Sequence, residues 1–165
     1  MIQNLTRRCG LLALSGMVII LDQLSKLMAR HHLELYSAKA FLPGWNWTLA
    51  YNEGAAFSFL ATQGGWQKLA FGLIAAAVSL GLIYFLLSKT YSCISGLAFS
   101  FILGGALGNL CDRILAGKVT DFIDWYYGTH HWPAFNFADS CISIGVTLLI
   151  IESLFFSKNQ RPAGV

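Results

Sequence analysis

The sequence predicts an all-α membrane protein, with four transmembrane helices and a small extramembrane β-sheet on the side away from the termini. Three observations lead there. The chain is 56% hydrophobic with a mean hydropathy of +0.58, well above the roughly 45–50% apolar content of soluble domains. Its apolar residues gather into four runs of about the 20 residues that a bilayer crossing needs. Between the first two runs, Trp45, Trp47, Leu49 and Tyr51 alternate with Asn46, Thr48, Ala50 and Asn52, the period-two pattern of a half-buried strand.

The predicted helices cover about 9–29, 66–87, 91–111 and 137–156 of a single integral membrane domain, 1–165. This span count puts both termini on one side and the two long connections, 30–65 and 112–136, on the other. Only Ser88, Lys89 and Thr90 separate the second and third runs, a turn that fits an antiparallel helical hairpin. Arg7 and Arg8 precede the first apolar run, but no small-residue cleavage site follows it. Instead Asp22, Gln23 and Lys26 continue the helical pattern, so the first run reads as an uncleaved membrane helix.

A raw count of Lys and Arg, five on the side of the termini and six on the other, does not orient the bundle. The five lie on short tails and a tight turn, and Arg7 and Arg8 flank the first helix, so the termini are expected in the cytoplasm. Trp66, Trp125, Tyr126, Tyr127 and Trp132 mark the opposite face as rings at headgroup level. Gly72, Gly81, Gly96, Gly104, Gly105 and Gly108 suit close helix packing in lipid.

Nothing in the charge pattern suggests nucleic acid, because no basic block extends beyond Arg7 and Arg8. Cys9, Cys93, Cys111 and Cys141 lack disulfide or C-x-x-C spacing, and the last three read as buried small hydrophobes. The pairs His31–His32 and His130–His131 lack metal-ligand spacing, and neither H-E-x-x-H nor G-x-S-x-G occurs.

Half of the acidic residues, four of eight, fall within 104–139, although only 12% of the chain is charged. Ionisable groups at membrane depth are costly and mark functional sites. Here Asp22 and Lys26 end the first helix, Asn52 precedes the second, Asn109, Asp112 and Arg113 close the third, and Asn136 and Asp139 open the fourth. All share the long-connection side. Glu152, near the other end, is explained by snorkelling. Asp22 and Lys26, at i and i+4, are expected to pair, and Asp112 is expected to stay ionised beside Arg113. Asp139 has no basic neighbour at helical spacing.

Two carboxylates held together in a dry site share a proton. One can activate water while the other polarises a carbonyl, so peptide hydrolysis follows with no metal or cofactor. These residues alone select Asp139, but leave Asp121, Asp112 and Asp124 open as its partner. A carrier or proton-relay bundle would use the same acids, but its sites would lie near the midplane in broken repeats. A non-enzymatic binding module would tolerate Asp139→Asn.

The blocks D-Q-L-S-K at 22–26, N-E-G-A-A-F-S-F at 52–59, G-G-A-L-G-N-L-C-D-R at 104–113, V-T-D-F-I-D at 119–124 and F-N-F-A-D-S at 135–140 resemble the signature blocks of bacterial lipoprotein signal peptidases, the signal peptidase II family. The resemblance spans nearly the whole chain. It implies an aspartic endopeptidase of the bacterial inner membrane that removes the signal peptide from diacylglyceryl-modified prolipoproteins just before the lipid-bearing cysteine, and that globomycin inhibits. It further implies Asp121 and Asp139 as the catalytic pair, with Asp22, Lys26, Asn52, Gly54, Asn109, Asp112, Arg113 and Asn136 binding substrate or supporting the site, and an extramembrane sheet cradle on the periplasmic side. Expected partners are lipidated prolipoproteins and membrane lipids, with the chain acting as a monomer. Glu53 occupies a variable position in its block and receives no role.

Overall fold

A computed structural model describes residues 2–53 and 66–155. Four α-helices, α1 (Ile2–His32), α2 (Trp66–Ser88), α3 (Cys93–Ala116) and α4 (Phe137–Phe155), are long and apolar enough to cross a membrane. Helices satisfy every internal backbone polar group within the segment, which lipid requires because it offers no partners. Their outward faces carry Leu73, Leu80, Ile114 and Leu154, each more than half exposed on the isolated chain. Such faces suit contact with acyl chains rather than water.

α3 is the centre of the bundle and packs against α1, α2 and α4. Its glycines permit this. A Cβ on Gly104 would stand 2.6 Å from that of Val18 on α1, one on Gly105 would overlap the Ala138 carbonyl on α4, and one on Gly108 would stand 2.6 Å from Asp22 Oδ2. Gly145 returns the contact from α4 against Ala98 and Ile102. Gly72 and Gly81, expected to serve the same purpose, have open space where a Cβ would be; they lie on faces of α2 that no other described element covers.

Two helices exceed their expected limits. α1 begins near the N-terminus and spans about 46 Å at 1.5 Å per residue, so it projects beyond a hydrocarbon core of about 30 Å. α3 continues past Asp112 and Arg113 to Ala116, and these residues therefore lie inside the helix rather than in a connection starting at 112. It starts at Ser92, whose hydroxyl accepts from the Ser95 N–H, and ends at Gly117 in the left-handed region (φ 69°), whose N–H bonds to the Arg113 carbonyl. Of the three cysteines expected to be buried, Cys141 is, Cys111 is half-buried and Cys93 is exposed; Cys9 is exposed as well.

At the end of the bundle remote from the N-terminus lies a four-stranded antiparallel sheet in the order β1 (Lys39–Leu42), β2 (Trp45–Asn52), β3 (Val119–Tyr127), β4 (His130–His131). β2 coincides with the stretch whose alternation predicts a strand. β3 falls within the expected 112–136 connection. Its V-T-D-F-I-D-W-Y-Y sequence places acids where a half-buried strand would repeat apolar residues.

The left-handed cap at Gly117 turns the chain straight from α3 into β3, and the Thr120 N–H donates to Asp112 Oδ2 at 2.9 Å. β2 runs along one edge of β3, with Ala50 opposite Asp121 and a bulge between Trp47 and Ala50. On the other edge the Phe135 carbonyl accepts from the N–H groups of Phe122 and Ile123, and the Phe135 N–H donates to the Ile123 carbonyl. This hook draws the start of α4 alongside Asp121.

Candidate active site

The site forms where α1, α3, β3 and the first turn of α4 meet. Its base is an ion cluster. Lys26, fully buried, lies 2.8 Å from Asp22 Oδ2 and 3.2 Å from Asp112 Oδ2. The first contact is the i, i+4 pair expected from sequence. The second corrects the reading that Arg113 is the cation for Asp112; the helical run of α3 turns Asp112 toward α1, where Lys26 waits. Gln23 closes the cluster, donating through Nε2 toward Asp22 Oδ2, Asp112 Oδ1 and the Gly108 carbonyl at 3.0–3.3 Å. Asp22 Oδ1 accepts from the Ala138 N–H at 3.0 Å and so ties α1 to the start of α4.

Above this base two amides carry the order upward. Lys26 Nζ donates to Asn109 Oδ1 at 2.9 Å, and an ammonium can only donate, so the Asn109 amide has one orientation. Its Nδ2 therefore points to Asp139 Oδ1, 2.8 Å away. Asn136 is fixed likewise: its Oδ1 accepts from the Asp139 N–H at 3.0 Å, while its own N–H donates to Asp139 Oδ2 at 3.2 Å. This reciprocal pair is a capping box at the N-terminus of α4. It leaves Asn136 Nδ2 to donate to Asp121 Oδ1 at 2.7 Å and to Asn109 Oδ1 at 3.1 Å. One asparagine thus bonds to both carboxylates, and Asn52 from the end of β2 adds a hydrogen bond to Asp121.

The two acids differ in environment. Asp121 is buried, and Asp139 is half-buried with both oxygens accepting N–H groups. Burial, reinforced by the charge of Asp139, pushes Asp121 up from 3.8 to about 7, despite the hydrogen bonds from Asn136 and Asn52 and the charge of Lys26. Arg113 stands within electrostatic reach of Asp139, Asp121 and Asp112, donating to the Asn109 carbonyl at 3.4 Å with its guanidinium over the Phe71 ring.

Of the residues singled out from sequence, Asp22, Lys26, Asn52, Asn109, Asp112, Arg113, Asp121, Asn136 and Asp139 come together here. Gly54 lies outside the described residues. Asp124 does not join them: it bonds to Asn46 Nδ2 at 3.0 Å and to His131 Nδ1 at 2.8 Å within the sheet, and this removes it as a partner for Asp139. Sequence reasoning passed over Gln23, Arg30 and Thr120, although Gln23 sits inside the polar D-Q-L-S-K run. Arg30 Nη1 donates to Thr120 Oγ1 at 2.9 Å and braces β3 against α1.

Two acids bridged by a shared amide at one end of a membrane bundle are the layout of an aspartic hydrolase. The relatives agree with that class. The model of the signal peptidase (SPase) II family matches residues 14–155. A lipoprotein signal peptidase of Acinetobacter baumannii is 49% identical over 152 residues, covering 92% of this chain and 86% of that one. Another, of Burkholderia mallei, is 45% identical over 150 residues, covering 91% and 90%. A solved structure, a bacterial membrane enzyme determined by the in meso method at 2.3 Å resolution, superposes with a TM-score of 0.80 at 32% identity and covers 94% of each chain. The chain belongs to the signal peptidase II family, and it is a protease.

Proposed function

We propose that Asp121 and Asp139 are the catalytic pair with which this protease cuts diacylglyceryl-modified prolipoproteins just before the lipid-bearing cysteine. The observation that carries the reading is the Asn136 side chain, which bonds to Asp121 through Nδ2 and to the Asp139 backbone through Oδ1. Such a link holds two acids at one reacting centre. The roles follow from their environments. Asp121, raised to about 7, holds the shared proton near neutral pH, and Asp139, whose two oxygens accept from the Asn109 amide and the Asn136 N–H, takes the part of the base.

Asp139 takes a proton from water as the oxygen attacks the scissile carbonyl, and Asp121 gives its proton to the carbonyl oxygen. The resulting tetrahedral diol collapses when Asp139 passes its new proton to the departing amine and a diol hydroxyl returns one to Asp121. One water is consumed, and both acids end in their starting states. Arg113 and Asn52 face the centre and bind the substrate backbone, with Gly54 beside Asn52 in sequence. The protein works as a monomer in the bacterial inner membrane, with its termini cytoplasmic and the sheet periplasmic. That orientation puts the acids at the outer surface, where a precursor's signal helix ends.

Purified protein incubated with a diacylglyceryl-modified precursor tests this. Asp121→Asn and Asp139→Asn should each abolish cleavage while the protein still accumulates in the membrane, and globomycin should block the unaltered enzyme. Processing at a near-normal rate by either variant would refute the assignment.

A further inference from the structure

The opposite end of the bundle carries charge that peptide hydrolysis does not use. Arg7, Arg8, Lys89, Thr90 and Tyr91 line an open cleft where α1 meets the α2–α3 turn. The arginines are held by main-chain carbonyls: Arg7 Nη2 donates to Ser92 at 2.6 Å and Tyr91 at 3.3 Å, and Arg8 donates to Leu87 and Lys89. The Arg7 guanidinium also lies over the Tyr91 ring, 5.1 Å from its centroid. Each guanidinium has five donors, more than these bonds occupy, so both are fixed in place with capacity remaining. Lys89 Nζ completes the cluster, 5.7 Å from the centre of the Tyr84 ring. Among the described residues Glu152, bonded to Ser95, is the acid of this end, against the three cations Arg7, Arg8 and Lys89, so positive charge is in excess.

Tyr84 joins the cluster to an apolar stripe. Leu73, Leu80, Tyr84 and Leu87 fall on one face of α2 at helical spacing and are 46–68% exposed. Cations at the mouth of a cleft and an apolar track leading from it toward the bilayer match one kind of molecule, with a phosphate at one end and acyl chains at the other.

We propose that Arg7, Arg8 and Lys89 seat the phosphate of an anionic membrane phospholipid, with a chain lying along Leu87, Tyr84 and Leu80. Basic clusters at the ends of membrane helices attract anionic lipid, each cation near the surface contributing about 1 kcal/mol, or roughly a fivefold change in affinity. A free phosphate ion would satisfy the cations but not the stripe.

The test uses the full chain in a neutral detergent, with lipid binding read by native mass spectrometry and stability by thermal unfolding. Phosphatidylglycerol should bind and raise the midpoint, whereas phosphatidylethanolamine with the same acyl chains should bind several-fold more weakly. Lys89→Gln, which removes an ammonium whose contact among the described residues is the Tyr84 ring, should weaken phosphatidylglycerol about fivefold and leave the lipid-free midpoint unchanged. Arg8→Gln should weaken it further. Equal binding of the two lipids, or no loss in Lys89→Gln, would overturn the proposal. So would inorganic phosphate that alone reproduced the protection.

Discussion

Lys26 shows how much one side chain can organise. Sealed from solvent between Asp22 and Asp112, it balances two carboxylates and also aims the Asn109 amide at Asp139. Breaking a buried ion pair by removing one partner costs about 3–5 kcal/mol, because the charge left behind stays desolvated. Lys26→Met should therefore sharply lower folded yield and thermal midpoint in detergent. Asp112→Asn should cost less, since Lys26 keeps Asp22; equal losses in the two variants would contradict the cluster. Asp121 offers a different measurement. Its folded value of about 7 against 3.8 unfolded means that the folded protein keeps a proton which the unfolded chain releases between those limits. The group's contribution to stability is thus full below about pH 4, declines as pH rises to about 7, and is level above. Asp121→Asn removes the decline. Relative to the unaltered protein, its midpoint should rise progressively between pH 4 and 7; parallel midpoint curves would mean that burial does not hold the proton there.

At the scale of elements, the contacts of α3 decide where substitution is tolerated. A Cβ at Gly105 would meet the backbone of Ala138, which cannot move without shifting α4, whereas one at Gly81 would meet nothing. Overpacking costs about 1–3 kcal/mol, while glycine within a helix is itself roughly 0.5–1 kcal/mol worse than alanine. Gly105→Ala should therefore lower the thermal midpoint by several degrees and Gly81→Ala should hold or raise it. Matching losses would refute the contact pattern. Hydropathy made the four helices legible because lipid demands long apolar runs, and period-two alternation made β2 legible because one face packs on the bundle. β3 escaped because Asp121 and Asp124 occupy buried strand positions, compensated by partners outside the strand: Asn136 for one, and His131 with Asn46, the latter 78 residues distant, for the other. The same distance hides the Asp112–Lys26 pair. Adjacency suggested Arg113, but the α3 surface that carries Asp112 packs on α1. Convergence of the polar residues at one end was readable from topology alone. Which glycines pack was not, since that depends on helix rotation.

For the whole molecule, the shared proton is a consequence of packing rather than of any one residue. α1 supplies the cation, α3 an amide and Arg113, β3 one acid and α4 the other, and dehydration of Asp121 requires all of them in place. Its elevated pKa is then a gauge of how tightly the bundle closes. Since kcat/KM reports the ionisations of free enzyme, cleavage of a lipidated precursor should fall as pH rises past about 7, where Asp121 loses the proton it must donate. Loosening the bundle should move that fall. Gly108→Ala would place a methyl carbon 2.6 Å from Asp22 Oδ2 and pry α1 from α3 beneath the acids, admitting water. With desolvation relieved, the Asp121 pKa should drop toward 3.8, and the basic limb of kcat/KM should shift to lower pH along with it. A variant that merely misfolded would lose amplitude at every pH and keep the midpoint. An unmoved basic limb in well-folded Gly108→Ala protein would show that closure of the helices does not set the proton affinity of the pair.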